Sequence, residues 1–247
     1  MRHDNSLPNQ CPVEDFGFDF KVVFPQEFAA GHLSSKFDVI ILEDGAVSPP
    51  TSGSGGQGGR GIDPQTIPVE YQDRLGAITS DEGVPEILEF VDEGGVVIAI
   101  GGSAVLGYHA GLPIYDHLME GERPVTRDEY FTPGSVHSIK LEDGSPLTHG
   151  LGDRLDVMIS HSPLFGLDAG YEGQGVKRIG WFDSEQPLRS GWAWGQERMQ
   201  GGTAMMEVKF GDGRMFLLSP KITFRAQSHA AFPLLFNGIF YGNALRN

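Results

Sequence analysis

Gly94-Gly95-Val96-Val97-Ile98-Ala99-Ile100-Gly101-Gly102-Ser103 is an apolar run bounded by glycines on both sides. A short run rich in β-branched residues, with no polar alternation, is the pattern of a strand covered on both faces in the middle of a parallel sheet. Gly101-Gly102 lets the backbone turn tightly at the carboxyl end of that strand, which is where open α/β sheets bind ligands. A nucleophile elbow of the form G-x-S-x-G needs glycine two residues either side of the serine. Gly101 satisfies one side, but Val105 stands on the other. Ser103 is therefore the leading nucleophile candidate, on half of the motif.

Working outward, Phe37–Leu42 and Lys21–Phe24 read as two successive strands joined by a connection with room for one helical turn. Thr79-Ser80-Asp81-Glu82 offers N-cap residues and early acids, and Val84, Ile87, Leu88 and Val91 follow at helical spacing until Gly94-Gly95. Strand, helix, strand in this order predicts a parallel crossover. After Gly121 the texture changes to short alternating runs, at 135–141, 155–159, 176–182, 204–210 and 215–218, with Gly211-Asp212-Gly213 as a hairpin signal. Phe232, Leu235, Phe236, Ile239 and Phe240 form a helical stripe that predicts a closing helix packed on the sheet. The fold expected is α/β: a mostly parallel sheet flanked by helices, with a β-rich second half.

With 33 acidic against 18 basic residues, the 247-residue chain carries a formal charge of −15. That balance argues against nucleic acid and anionic membrane surfaces as partners, because both are bound by clustered Lys and Arg. Cys11 is the only cysteine, which excludes an intrachain disulfide, a thiolate metal cluster and a C-x-x-C redox pair. No stretch approaches the roughly 20 apolar residues of a membrane span. The organisation expected is an irregular segment over 1–17, one domain over 18–242 and a tail over 243–247. Within the domain, the Gly-, Ser- and Pro-rich stretch 47–61 is expected to be a flexible loop.

The segments FDVIILEDGA (37–46), EFVDEGGVVIAIGGSA (89–104), GLPIYDHLMEG (111–121), YFTPGSVHSIKL (130–141), WFDSEQPLRSGWAWGQE (181–197) and LLSPKITFRAQSHAAFPLLFNGIFYG (217–242) occur in this order. Together they resemble a class I glutamine amidotransferase-like domain of the kind found C-terminally in large bacterial zinc carboxypeptidase-like proteins. The resemblance spans about Phe18 to Gly242. It implies a flavodoxin-like, amidotransferase-like sheet, a metallocarboxypeptidase-like domain as partner, and export from a bacterial cell to the periplasm or medium. It also implies a strand and helix ahead of Phe18 that Met1–Phe16 is too short and polar to supply, so the first strand is expected to be missing. An unpaired sheet edge would favour self-association.

An amidotransferase needs a cysteine at the elbow, a histidine to take its proton and a carboxylate to orient the histidine. The elbow here reads Ile100-Gly101-Gly102-Ser103, so glutamine hydrolysis by a cysteine is excluded. Three readings remain. The leading one is a non-catalytic accessory domain that binds a ligand, docks or oligomerises, with Ser103 capping the helix that follows. The second is a serine hydrolase on Ser103, with His229 or His161 as base, Glu43 or Asp44 behind it, and the Ala104 N–H in an oxyanion hole. The third is a sugar- or peptide-binding module in which Trp192 and Trp194 lie on one face of an extended strand. Glu43, Asp44, Gly101, Gly102, Ser103, Trp192, Trp194 and Arg225 are the candidate ligand-binding residues, Arg225 as a fork for a carboxylate. His117-Leu118-Met119-Glu120 is an H-x-x-E, too short a motif to carry a zinc site. His109 and His117 are read as surface or core histidines. No metal and no cofactor are expected.

Overall fold

A computed structural model describes residues 12–50, 64–72 and 74–244. Cys11, most of the segment 1–17, residues 51–61 of the expected loop and residues 245–247 of the tail lie outside the described residues. In chain order the strands are β1 (Val39–Leu42), β2 (Val96–Ile100), β3 (Ile114–Asp116), β4 (Met119–Glu120), β5 (Arg123–Pro124) and β6 (Ser135–Leu141). They continue with β7 (Arg154–Ile159), β8 (Phe165–Leu167), β9 (Val176–Trp181), β10 (Leu188–Ser190), β11 (Thr203–Phe210) and β12 (Gly213–Leu218). The helices are α1 (Pro12–Asp15), α2 (Pro25–Ala29), α3 (Val69–Gln72), α4 (Val84–Asp92), α5 (Leu106–His109) and α6 (Phe232–Ala244). None of these helices is long and apolar enough to cross a membrane.

The central run behaves as its composition dictates. All of β2 is buried, and it lies between β1 and β12, parallel to both. Its side chains alternate between two cores: Val96, Ile98 and Ile100 enter the one beneath α6, and Val97 and Ala99 enter the one beneath α4. The helix α4 buries Val84, Ile87, Phe90 and Val91, and α6 buries Leu234 and Leu235, so the parallel part is a three-layer sandwich. Beyond β12 every pairing is antiparallel, in the order β12-β11-β9-β6-β10, with β7 on β6 and β8 on β11. The β-rich second half thus continues the same sheet. Gly211-Asp212 is the two-residue loop between β11 and β12, with Gly211 at φ 57.

Several local expectations are corrected. Lys21–Phe24 forms no strand; Val22 and Phe24 are exposed and no strand pairs with them, because apolar composition without a neighbour to supply hydrogen bonds does not make a ladder. Thr79–Glu82 closes its own turn, through Thr79 N–H to Glu82 O (2.8 Å), and the helix starts later, after Gly83. The Glu86 carboxylate accepts from the Gly83 N–H at 3.0 Å and does the capping instead. Val47, at the start of the expected loop, is buried and bridged to Ile78. Phe240 is exposed rather than part of the core stripe.

Ile98 fills the centre of one core and is fully buried. Ile98→Ala is expected to lower stability by about 2–5 kcal/mol, since neighbours anchored in the sheet cannot collapse into the space. Urea unfolding with an unchanged m-value is the check.

Candidate functional site

The carboxyl ends of β1, β2 and β12 meet at one place. Glu43, Asp44 and Gly45 follow β1, Gly101–Ser103 follow β2, and Ser219–Thr223 follow β12. Gly101 turns at φ +61, and a Cβ there would stand 2.4 Å from Asp44 Oδ1, so only glycine fits. That carboxylate accepts from the Gly102 N–H at 2.7 Å and pairs with Lys221 Nζ at 2.6 Å. The Thr223 hydroxyl donates to Glu43 Oε2 at 2.8 Å. Burial raises the pKa of Glu43 above the ordinary carboxylate range, the Thr223 hydrogen bond pulls it down, and the neighbouring Asp44 charge adds to the rise.

Ser103 is fully buried. Its hydroxyl donates to Glu43 O at 2.5 Å and accepts from the N–H groups of Ala46 at 2.8 Å and Val47 at 3.2 Å. One donor and two lone pairs are all a hydroxyl has. With all three engaged by the backbone after β1, the side chain ties two loops together and has nothing to offer a substrate. It does not serve as the cap of the helix behind it either.

The residues placed beside Ser103 on sequence grounds separate accordingly. The structure brings Glu43, Asp44, Gly101 and Gly102 together with Ser103. His229 instead stacks on Phe232 (5.0 Å) at the start of α6, and Arg225 lies over the Phe224 ring (5.1 Å) in a turn where Arg225 and Ala226 hold φ of 52 and 50. Among the described residues, no histidine hydrogen-bonds to Ser103. His109 Nε2 contacts Ser48 O at 2.7 Å and His117 Nε2 contacts Gln200 O at 3.1 Å, while Glu120 pairs with Arg123 and Arg198. Both halves of the H-x-x-E are thus taken up by other partners.

A cleft of about 490 Å³ opens beside this joint, with Gly45, Ser48, Pro49, Gly102, Asp116 and His161 in its walls. His161 holds φ 53, unusual for a residue with a side chain, and its ring meets Phe131 edge-on at 5.5 Å. Phe131 in turn meets Trp192 at 5.8 Å and lies under the Arg127 guanidinium at 4.0 Å. An aromatic rim therefore leads out of the cleft. Trp192 and Trp194 lie just beyond β10, outside the regular strand expected for them, and are 53% and 57% exposed. The Trp194 indole donates to Asp128 O at 2.6 Å. Phe131, Arg127, Lys221 and Thr223 were not singled out by sequence reasoning, because only their distant neighbours give them a role. A larger trough of about 1000 Å³ lies between the β6–β7 connection and the end of α6, and none of the residues that follow β1, β2 or β12 lines it.

Comparison with known proteins supports the architecture. No family model matches the chain, and no curated protein matches it. A GMP synthase-type protein from Thermoplasma acidophilum superposes with a TM-score of 0.51 at 10% identity, over 95% of this chain and 88% of that one. A glutamine amidotransferase from Thermotoga maritima gives 0.41 at 13% identity over 95% and 85%. A β-galactosidase from Bacillus circulans sp. alkalophilus gives 0.40 at 12% identity over 85% of this chain, which spans 22% of that enzyme's length. The chain has an amidotransferase-like fold.

Two outcomes follow from the joint. Ser103→Ala removes the hydroxyl's three hydrogen bonds; the Ala46 N–H and Glu43 O still meet each other at 3.0 Å, while the Val47 N–H loses this partner, and a cost of about 1–3 kcal/mol is expected in chemical denaturation. A native Glu43 holds its proton more tightly than the unfolded chain does, so its contribution is present at low pH and is lost as pH rises through the folded value. Glu43→Gln keeps an acceptor for Thr223 and should gain melting temperature on wild type between about pH 4 and pH 7.

Proposed function

We propose that this chain is a non-catalytic, amidotransferase-like accessory domain of an exported bacterial zinc carboxypeptidase-like protein, working through ligand binding and interdomain docking. The observation that carries the reading is the Ser103 hydroxyl, buried and saturated by Glu43 O, Ala46 N and Val47 N at the position where this elbow would present a nucleophile. Asp44 occupies the N–H of Gly102, next to Ser103 in the chain. A site whose hydroxyl and first amide are both spent on the fold has no activated nucleophile, the first requirement of covalent hydrolysis. The zinc carboxypeptidase context and export rest on the sequence resemblance.

Docking draws support from the edge of the sheet. Among the described residues β1 pairs with β2 on one side and with no strand on the other, and its Val39 and Ile41 are only half-buried. An unpaired parallel edge is a template for another strand. The occupant we favour is the peptidase-like domain of the same protein.

The catalytic side is tested with a fluorophosphonate probe and an activated ester. The expected result is no labelling and no turnover above background; labelling abolished in Ser103→Ala would overturn the reading. The docking side is tested by sedimentation of the chain with and without a separately expressed peptidase-like domain. A 1:1 complex is expected. A chain that stays monomeric in both mixtures refutes docking, and a concentration-dependent dimer of the chain alone assigns the edge to a second copy.

A further inference from the structure

The exposed aromatic rim offers ring faces and very little else. The N–H and C=O groups of Phe131 and Trp194 bond reciprocally, each at 3.0 Å. The Trp192 N–H donates to Ser135 Oγ at 2.9 Å, and the same hydroxyl donates to Trp192 O at 2.5 Å. The Trp194 indole N–H is also engaged, by Asp128 O. The main chain here is thus already satisfied, so a peptide could not be captured by adding a strand, which relies on unpaired backbone groups. What remains presented are the indole faces of two tryptophans that stay more than half exposed although their backbones are held in place. Large rings fixed in this way bind with little further loss of side-chain freedom.

The second observation concerns charge. In a chain of net charge −15, Arg127 is exposed, has its guanidinium carbon over the Phe131 ring at 4.0 Å, and among the described residues forms no ion pair. A guanidinium stacked on a ring keeps its N–H edge free for the bidentate recognition of a carboxylate. Stacking surface and carboxylate fork are contiguous through Phe131, whose ring touches Trp192 on one side and the cleft residue His161 on the other. A pyranose has the matching chemistry: C–H groups on its faces for the indoles, hydroxyls at its edge for the polar cleft wall, and, in a uronic acid, a carboxylate at one corner.

We infer that the rim formed by Arg127, Phe131, Trp192 and Trp194, together with the cleft at His161, is a binding site for acidic saccharides. The inference rests on reading the domain as a binding module and names its ligand class. The test is titration calorimetry of the purified chain with tetragalacturonic acid and with a neutral tetrasaccharide, maltotetraose. Saturable binding of the acidic sugar is expected, with at least tenfold preference over the neutral one. Trp192→Ala is expected to weaken both about tenfold or more. Arg127→Gln is expected to weaken the acidic sugar at least tenfold more than the neutral one and so abolish the preference, a split that general loss of structure would not produce; circular dichroism verifies the fold of each variant. No saturable binding of tetragalacturonic acid at millimolar concentration, binding indifferent to both substitutions, or tighter binding of tripeptides with a free C-terminal carboxylate would each overturn the site. Failure here leaves the Ser103 and docking results standing, because probe labelling and sedimentation read those separately.

Discussion

The geometry of the candidate site depends on one hydroxyl. Ser103 Oγ joins Glu43 O, Ala46 N and Val47 N to the turn after β2. In water those three backbone groups would be hydrated; inside the fold each needs a partner or costs on the order of 1–3 kcal/mol. The hydroxyl engages all three at once, beside the bond at 3.0 Å that the Ala46 N–H makes to Glu43 O, and in doing so it helps set the path of Gly45–Pro49, which is one wall of the cleft. Asp44 reinforces the same joint through Gly102 N–H and Lys221, linking the loops after β1, β2 and β12. A residue type associated with nucleophilic attack has here become the fastener of two loops.

The burial of β2 makes that joint possible. With Val96, Ile98 and Ile100 in one core and Val97 and Ala99 in the other, the strand cannot shift without exposing one set, so its carboxyl end is a fixed reference point. The antiparallel half is attached to the same reference through β12 and carries the aromatic rim on the β5–β6 connection and on the segment after β10. Rim and cleft are contributed by segments far apart in sequence, and rigidity in the sheet between them holds their rings in contact.

Electrostatics in the two places works differently. Glu43 and Asp44 are engaged by Thr223, Gly102 and Lys221, where they satisfy the fold. Arg127 is exposed over a ring and forms no ion pair among the described residues. The first arrangement consumes polar groups and the second presents one. This contrast separates the residues that build the site from those that face a ligand.

The order of elements was legible wherever local pattern is decisive. The Val96–Ile100 run, the stripe at Val84, Ile87 and Val91, the Gly211-Asp212 loop and the closing helix all reflect spacing within a few residues, and such spacing follows from helix and strand geometry alone. Lys21–Phe24 misleads for the same reason: its composition suits a strand, but a strand also needs a neighbour, and among the described residues none pairs with it. The missing elbow cysteine and the amidotransferase-like architecture belong to what the sequence by itself determined. The role of Ser103 belongs to the tertiary structure, because its three partners lie 56 to 60 residues away. So does the placement of Trp192 and Trp194: their own residues state that large rings are present, while Ser135 and Asp128, 57 and 66 residues distant, decide how they are held. Hydrogen-bond satisfaction is a property of the whole fold, and it alone decided which polar groups were used up and which were left facing outward.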